Sequence, residues 1–324
     1  MRVCVTGATG FIGGALVRRL LNEGAAVRAL ARPSPRADAL ERLGVELIRG
    51  ELADAQAVER AVSAAEIVYH IASKVEGPWV RDDVEKTLSN TQNVFEACIR
   101  QRVPHIVHMS SIAVYGLTQT DEVITESTQF DPAPRKRDSY AQSKIEEDAY
   151  AVAIGRKTRL PVTILRPGVV FGRGRQLPVA LLGFRRGNTN VVFGRRGLRY
   201  PLVYLDNLVD AVILAGSRAE GGLRQYIIID DEDLTLGQYH DIRTKEDRTR
   251  TLFFPGWPLL AGPLIYESLA WIIAAGSRNG PIWSRQIRRA LQNRHYSTQR
   301  IRQELGWSPK VPLRDAISLT LSPR

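Results

Sequence analysis

The chain has 324 residues, of which 44% are apolar and 24% charged, and a formal net charge of +11. These proportions are typical of a soluble globular protein with one large or two medium domains. The positive charge favours anionic partners, but no aromatic-interleaved RNA motif or helix-turn-helix pattern accompanies the dispersed arginines, so we expect no nucleic-acid partner. Two cysteines and five histidines without ligand spacing predict no metal site and fit a reducing cytoplasm.

The N-terminal pattern is a strand, a glycine-rich turn and a helix. The apolar run Arg2 to Thr6 opens on Gly7-x-x-Gly10-x-x-Gly13, and helical periodicity follows from Phe11 to Asn22. Glycines let the backbone approach a pyrophosphate, whose charge is stabilised at the helix N-terminus. The sequence therefore predicts that a dinucleotide contacts this turn, through Gly7, Thr9, Gly10, Phe11, Ile12 and Gly13.

The end of the second strand bears on which dinucleotide binds. The strand Ala26 to Ala31 has no acid at its end for the adenosine ribose hydroxyls, and Arg32 follows it, with Arg36 nearby. An added guanidinium suits a 2'-phosphate, so we expect NADP in preference to NAD, with NAD still possible. The alternative is two solvated arginines on a proline-broken loop.

Alternating strands and helices over the first ~165 residues predict an α/β fold with a doubly wound parallel (Rossmann) sheet. Residues at the carboxyl ends of these strands face the ligand crevice. We therefore assign to the cofactor site Glu51, Leu52, Ile71, Ala72, Ser73, Ser110, Pro167 and Val170. The predicted domains are a nucleotide-binding domain over 1–167 and a smaller, mostly helical substrate domain over 168–324, with segments near 200–230 completing the first.

Tyr140 and Lys144 stand four residues apart in a predicted helix, so both side chains share one face. A phenol beside an ammonium loses its proton more readily, and such a pair can move a proton on or off a carbonyl or alcohol oxygen. Such a pair taken alone is weak evidence of catalysis, and the alternative is an exposed helix face with an extended lysine.

These motifs together resemble the extended short-chain dehydrogenase/reductase family, which includes nucleotide-sugar epimerases and dehydratases and hydroxysteroid dehydrogenase-like reductases. The resemblance rests on the glycine turn, Ser110-Ser111-x-x-Val114-Tyr115-Gly116, Tyr140-x-x-x-Lys144, Arg166-Pro167-Gly168 and Leu205-Asp206-Asn207. It implies that Ser111 binds the substrate oxygen, that Tyr140 exchanges the proton, and that Lys144 holds the nicotinamide ribose.

The chain departs from the family pattern at two places. Thr87 and Asn90 stand where the family usually has an Asn and a Gly, so the role given to that Asn does not carry over. Glu51 stands where Asp is commoner, which is a mild change.

Three functions are consistent with the sequence. The first is hydride transfer between NADP and a ketone or secondary alcohol. The second is redox-neutral nucleotide-sugar epimerisation, in which basic residues grip a diphosphate; dehydration is disfavoured because Ile112 and Ala113 replace the usual acids. The third is a non-catalytic NADP sensor or scaffold. The arginines considered for the diphosphate, with a solvated basic face as the equal alternative, are Arg173, Arg175, Arg195, Arg196 and Arg199.

Two further expectations concern partners. The apolar stretch 252–276, interrupted by prolines and Glu267, could shape an apolar pocket, contact a membrane surface peripherally, or form ordinary core. The family resemblance implies a homodimer through the helices at 84–102 and 140–159. We expect a cytoplasmic protein, with a membrane-peripheral location as the alternative, and a small-molecule carbonyl, alcohol or nucleotide-sugar substrate.

Overall fold

A seven-stranded, wholly parallel sheet forms the centre of the computed structural model, which describes residues 1–73, 81–116, 122–218, 221–263 and 283–322. In chain order its strands are β1 Arg2–Thr6, β2 Ala26–Ala31, β3 Glu46–Arg49, β4 Ile67–His70, β5 His105–Met109, β7 Val162–Pro167 and β12 Leu223–Ile228. Across the sheet they lie in the order β12-β7-β5-β4-β1-β2-β3, which is the doubly wound arrangement expected from the sequence.

Helices cover both faces of this sheet, because successive residues of a strand point to opposite faces and both sets are apolar. In β1, Val3 and Val5 pack into the cluster beneath helices α1 and α6, while Cys4 packs into the opposite cluster beneath α3, α4 and α5. The bounds are α1 Phe11–Asn22, α2 Pro35–Arg42, α3 Ala55–Val62, α4 Arg81–Arg100, α5 Ser139–Lys157 and α6 Leu205–Ser217.

The second half of the chain adds short strands as well as helices. Strands β9 Gly183–Arg186, β10 Thr189–Phe193 and β13 Arg250–Phe254 form a three-stranded sheet that the sequence analysis did not predict. Two smaller pairings complete the strands: β8 Val169–Phe171 with β11 Leu202–Tyr204, and β6 Val123–Ile124 with β14 His295–Tyr296. The remaining helices are α7 Leu236–Asp247, α8 Trp283–Leu291, α9 Gln299–Leu305 and α10 Leu313–Leu321.

The predicted elements of the first half are present with small shifts at their ends. The strand predicted over 26–31 and the helix predicted over 11–22 have those bounds, and the helix predicted over 84–102 runs from Arg81 to Arg100. Strand β12 pairs with β7, so the segment near 200–230 supplies the last strand of the main sheet. The division into domains at residue 167 stays a prediction.

Two features that bear on function are absent from the described ranges. No helix among them is long and apolar enough to cross a membrane. Within the same ranges, no three His, Cys, Asp or Glu side chains lie close enough together to hold a metal ion. Of the apolar stretch 252–276, residues 264–276 lie outside the described residues.

Candidate active site

The carboxyl ends of the central strands open into a cleft of about 1060 Å³. Parallel strands bring their ends to one edge of the sheet, which is where ligands of such folds bind. Every residue assigned to the cofactor or catalytic site from the sequence lines this cleft. These are Gly7, Thr9, Gly10, Phe11, Ile12, Gly13, Arg32, Arg36, Glu51, Leu52, Ile71, Ala72, Ser73, Ser110, Ser111, Tyr140, Lys144, Pro167 and Val170.

The glycine turn is shaped for a close backbone approach. Gly7 has φ +74°, and a Cβ there would lie 2.7 Å from the Cα of Ala72 on the neighbouring strand end. A Cβ on Gly13 would lie 2.2 Å from the carbonyl oxygen of Gly7. Helix α1 follows with Gly10 at its N-cap and no capping side chain, so backbone N–H groups point at the cleft. These features fit a dinucleotide pyrophosphate.

The two arginines that the sequence analysis assigned to cofactor binding lie after strand β2, at the border of the cleft. Strand β2 ends at Ala31, and the exposed side chains of Arg32 and Arg36 border the cleft. Neither forms a salt bridge to a carboxylate within the described ranges. Asn93 donates a hydrogen bond from Nδ2 to the carbonyl oxygen of Leu52 at 2.8 Å, which fixes the backbone beside this end.

Ser110 and Ser111 follow strand β5 but have different surroundings. The Ser110 hydroxyl donates to Asp148, which also forms a two-point ion pair with the buried guanidinium of Arg166. Its hydroxyl proton is therefore already used in a buried polar cluster. The Ser111 hydroxyl accepts from the Ala113 N–H at 3.1 Å and begins a short 3-10 helix, Ile112–Val114. It retains its own proton for a ligand oxygen.

Helix α5 places Tyr140 and Lys144 one turn apart at the cleft wall. The Asp138 side chain caps this helix by accepting from the Ala141 N–H at 2.9 Å, so Tyr140 lies in the first turn. The Lys144 ammonium donates to the carbonyl oxygen of Met109, the last residue of β5, at 3.0 Å. This bond holds the lysine against the strand end that leads to Ser111.

A buried carboxylate that the sequence analysis missed lies beside Lys144. Glu147 is fully buried, and its Oε2 lies 3.0 Å from the Lys144 Nζ. Its Oε1 accepts from the hydroxyl of Thr91, which in turn contacts His70 Nε2 at 3.1 Å. Burial raises the pKa of Glu147, and the Lys144 charge opposes that rise. The signal in the sequence was an acid three residues after the lysine, which puts the two side chains on neighbouring positions of the helix surface.

The network continues to the first strand. His70 Nδ1 contacts the Thr6 hydroxyl at 2.7 Å, and burial followed by the Lys144 charge lowers the pKa of His70 to about 3. His70 is therefore neutral at physiological pH. Thr91 is the residue of helix α4 that joins this network, and Thr87 and Asn90 do not. The Thr87 hydroxyl instead donates to the Asp83 carbonyl of its own helix.

Guanidinium groups surround the far end of the cleft. We call Arg137, Arg289 and Arg294, which all line it, the arginine cluster. They donate to backbone carbonyls of the segment after Ser111: Arg137 to Ala113, Arg289 to Ile112 and Tyr115, and Arg294 to Tyr115. Sequence reasoning missed this cluster because its members are separated by about half the chain.

The five arginines considered for a diphosphate do not gather in one place. Arg175 and Arg199 line the cleft, and the Arg175 guanidinium lies 4.6 Å from the Phe11 ring centroid. Arg199 pairs with Asp233, Arg196 with Asp241, and Arg173 donates to the Leu319 carbonyl. Arg173, Arg195 and Arg196 are not among the lining residues.

Comparison with known families identifies the chain. The model of the NAD dependent epimerase/dehydratase family matches residues 3–228, which include the glycine turn, Ser111, Tyr140 and Lys144. The chain belongs to this family. Family membership indicates an NAD-dependent enzyme of the oxidoreductase and epimerase type, with its specific reaction open.

Curated relatives extend the similarity to the whole chain. A 2-alkyl-3-oxoalkanoate reductase of Stenotrophomonas maltophilia is 28% identical over 98% of this chain and 97% of its own. The reductase of that name from Shewanella oneidensis is 26% identical over 97% and 84%. A 3 beta-hydroxysteroid dehydrogenase/Delta 5-->4-isomerase of Mycobacterium tuberculosis is 24% identical over 98% and 88%.

Solved structures share the fold. The crystal structure of gox2253 superposes with a TM-score of 0.80 at 23% identity, covering 98% of this chain and 96% of its own. UDP-glucose 4-epimerase of Thermotoga maritima, solved with UDP-glucose, gives 0.73 at 20%, covering 99% and 97%. MoeE5, solved with UDP-glucose and NAD, gives 0.71 at 22%, covering 99% and 97%.

Proposed function

We propose that this protein is an NADP-dependent reductase that transfers a hydride between the nicotinamide and a ketone or secondary alcohol. The observation that carries the proposal is the meeting of Ser111, Tyr140 and Lys144 in the cleft that the glycine turn also lines. These three side chains supply an oxygen-binding hydroxyl, a proton donor and a cation in one place, which is what carbonyl reduction requires.

A nicotinamide cofactor held along the glycine turn and beside Lys144 would supply the hydride for the carbonyl carbon. The Tyr140 hydroxyl gives its proton to the carbonyl oxygen, and the Ser111 hydroxyl donates a hydrogen bond that fixes that oxygen. Lys144, held by the Met109 carbonyl, places a positive charge one helical turn from Tyr140 and stabilises the phenolate left behind. Alcohol oxidation uses the same groups in reverse.

NADP is the proposed cofactor, with NAD as the alternative. Arg32 and Arg36 offer two guanidiniums without a carboxylate partner in the described ranges, beside a strand end that lacks the acid which binds the ribose hydroxyls of NAD. The 2'-phosphate of NADP is negatively charged, and an arginine can bind it through two parallel N–H bonds.

The second candidate function is redox-neutral epimerisation of a nucleotide sugar. Solved structures of the same fold hold UDP-glucose with NAD, and Arg175 and Arg199 border the cleft. Such an enzyme regenerates its cofactor within each cycle, whereas a net reductase exchanges it every turnover.

One experiment separates these functions. Freshly purified protein is denatured and the released nucleotide is identified, and NADPH and NADH oxidation are then followed with a panel of ketones. We expect protein without stoichiometric nucleotide and NADPH-dependent ketone reduction. Near-stoichiometric NAD together with UDP-sugar interconversion would establish the epimerase instead.

We also propose a peripheral membrane contact through the described part of 252–276. Leu252, Phe254 and Trp257 expose 43%, 44% and 72% of their surfaces, and exposed Arg185 and Arg186 lie on the same three-stranded sheet. Apolar side chains flanked by cations suit an anionic lipid surface. Co-sedimentation with phosphatidylglycerol vesicles, absent with phosphatidylcholine vesicles, would support the contact and a cytoplasmic, membrane-peripheral location.

A homodimer through α4 and α5 is proposed on the family resemblance. These helices pack against each other on one face of the sheet, so a twofold axis beside them would form a four-helix interface. Light scattering after size exclusion measures the oligomeric state directly, and a monomer at micromolar concentration would contradict the proposal.

A further inference from the structure

The arginine cluster encloses the short helix that follows Ser111. Arg289 donates from Nη2 to the Ile112 carbonyl at 3.2 Å and from Nε to the Tyr115 carbonyl at 3.3 Å. Ile112 is the residue next to Ser111, so the Arg289 side chain reaches the part of the cleft where the reacting oxygen is proposed to bind. A guanidinium has five N–H donors, and these two bonds leave three for a ligand.

The charges around this end of the cleft do not balance. Asp131 pairs with Arg137 at 2.9 Å and with Arg285 at 2.6 Å, so one carboxylate serves two guanidiniums. Arg294 is held by neutral groups: its Nη1 donates to the Tyr296 hydroxyl and its Nε to the Gln292 side chain.

Arg289 has only carbonyl partners in the described part of the chain. The negative charge of Asp138 raises the pKa of Arg289 slightly, but the Asp138 carboxylate is already used as the cap of helix α5. Burial, followed by the charge of Arg294, lowers the pKa of Arg289 to about 9. Arg289 and Arg294 thus have neutral partners, while Arg137 and Arg285 share the single carboxylate of Asp131. This end of the cleft therefore carries excess positive charge, which is costly to bury without an anion.

We propose that Arg289, with Arg294 beside it, binds a carboxylate carried by the substrate close to its reacting carbonyl. The inference rests on the proposed reductase function and names its substrate class as oxo acids and the matching hydroxy acids. A carboxylate accepts two parallel N–H bonds from one guanidinium, which would orient the ketone toward Ser111 and Tyr140. The names of two relatives, 2-alkyl-3-oxoalkanoate reductases, describe molecules of this class.

The position of Arg289 favours a carboxylate over a diphosphate. In a 3-oxo acid the carboxylate carbon is two bonds from the carbonyl carbon. Such a short separation suits the Arg289 guanidinium, which is hydrogen-bonded to the residue after Ser111. In a nucleotide sugar a pyranose ring separates the reacting carbon from the diphosphate. UDP is therefore included in the test as the competing ligand.

The test compares a carboxylate with its ester. Binding of 3-hydroxydecanoate, its methyl ester and UDP is measured by calorimetry at neutral pH on protein saturated with NADPH, which cannot accept a hydride from the hydroxy acid. The variants are Arg289→Gln, Arg289→Lys and the matched control Arg288→Gln, whose side chain is exposed on the same helix.

We expect the wild-type protein to bind the carboxylate about tenfold or more tightly than the ester, the value of one charge-assisted pair. R289Q should abolish that difference, R289K should keep part of it, and R288Q should leave it unchanged. Equal affinities of the wild-type protein for the acid and the ester would by themselves overturn the inference. UDP binding that depends on Arg289 would show instead that this arginine binds a diphosphate.

Activity data separate this inference from the function beneath it. Reduction of neutral ketones by NADPH with no preference for oxo acids would reject the carboxylate site and leave the reductase standing. Carboxylate binding that depends on Arg289, without hydride transfer to any carbonyl, would reject the reductase alone.

Discussion

The Lys144 ammonium lies 3.0 Å from the Glu147 carboxylate, and both groups are buried at the inner wall of the cleft. Two successive turns of helix α5 thus carry Tyr140, its neighbouring cation and an anion that partly offsets that cation. Removing one member of such a pair leaves the other charge uncompensated. Substituting Glu147 therefore tests how the charge balance at Lys144 affects Tyr140.

Glu147→Gln should shift the pH dependence of alcohol oxidation to lower pH. The amide retains the hydrogen bond to Thr91 but no longer offsets the Lys144 charge, so the phenolate of Tyr140 is better stabilised. We also expect a loss of roughly 3 kcal/mol in unfolding free energy, typical of breaking a buried pair. The kcat/KM–pH profile and urea unfolding measure the two effects.

The control for this change is Glu146→Gln, the preceding residue, which bonds Gln142 on the outer side of the helix. It should leave both the pH profile and the stability close to the wild-type values. An E147Q profile that coincides with that of wild type would show that Glu147 is only structural.

Tyr140→Phe should lower turnover by about 10²- to 10⁴-fold, which is the usual contribution of general acid–base catalysis. NADPH affinity should barely change, because the phenol oxygen is the only group removed. Steady-state kinetics with fluorescence titration of NADPH gives both values, and Tyr150→Phe, farther along the same helix, is the matched control. Retention of more than about a tenth of the activity would reject Tyr140 as the proton donor.

Arg32→Ala should weaken NADPH binding by about 10- to 100-fold and leave NADH binding nearly unchanged, since one charge-assisted pair to a 2'-phosphate contributes about 1.5–3 kcal/mol. Arg42→Ala, at the far end of helix α2, is the control and should change neither. Parallel loss for both cofactors would instead place Arg32 against a phosphate that they share.

Asp230→Asn should make stability less dependent on pH. Burial raises the pKa of Asp230 to about 7, against the bonding of its carboxylate to the Tyr204 N–H. Because the folded pKa lies above the unfolded value of about 4, the folded state binds the extra proton, and stability falls as pH rises from about 4 to 7.

We therefore expect the Asp230 carboxyl to cost the wild-type protein about 2.5 kcal/mol of stability between pH 5 and 8, and D230N to lose much less. Urea unfolding at a series of pH values measures this, with the exposed Asp315→Asn as control. A D230N curve parallel to that of wild type would show that Asp230 is ionised throughout.

The cofactor half of the site follows from local sequence. Gly7 and Gly10 lie between strand β1 and helix α1, Gly13 lies in the first turn of α1, and their close contacts involve the turn itself and the adjacent strand end. Tyr140 and Lys144 share a helix face by spacing alone. Such relationships are set by backbone geometry over a few residues, so the motif and its place in the doubly wound sheet could be predicted together.

Only the tertiary structure decided what surrounds those motifs. Glu147 is three residues from Lys144 in sequence, yet its burial and its bond to Thr91 depend on helix α4 packing against α5. Arg289 reaches Ile112 across 177 positions of chain. Sequence spacing determines which side chains one element presents, whereas burial, charge balance and contacts between distant elements arise only when those elements pack.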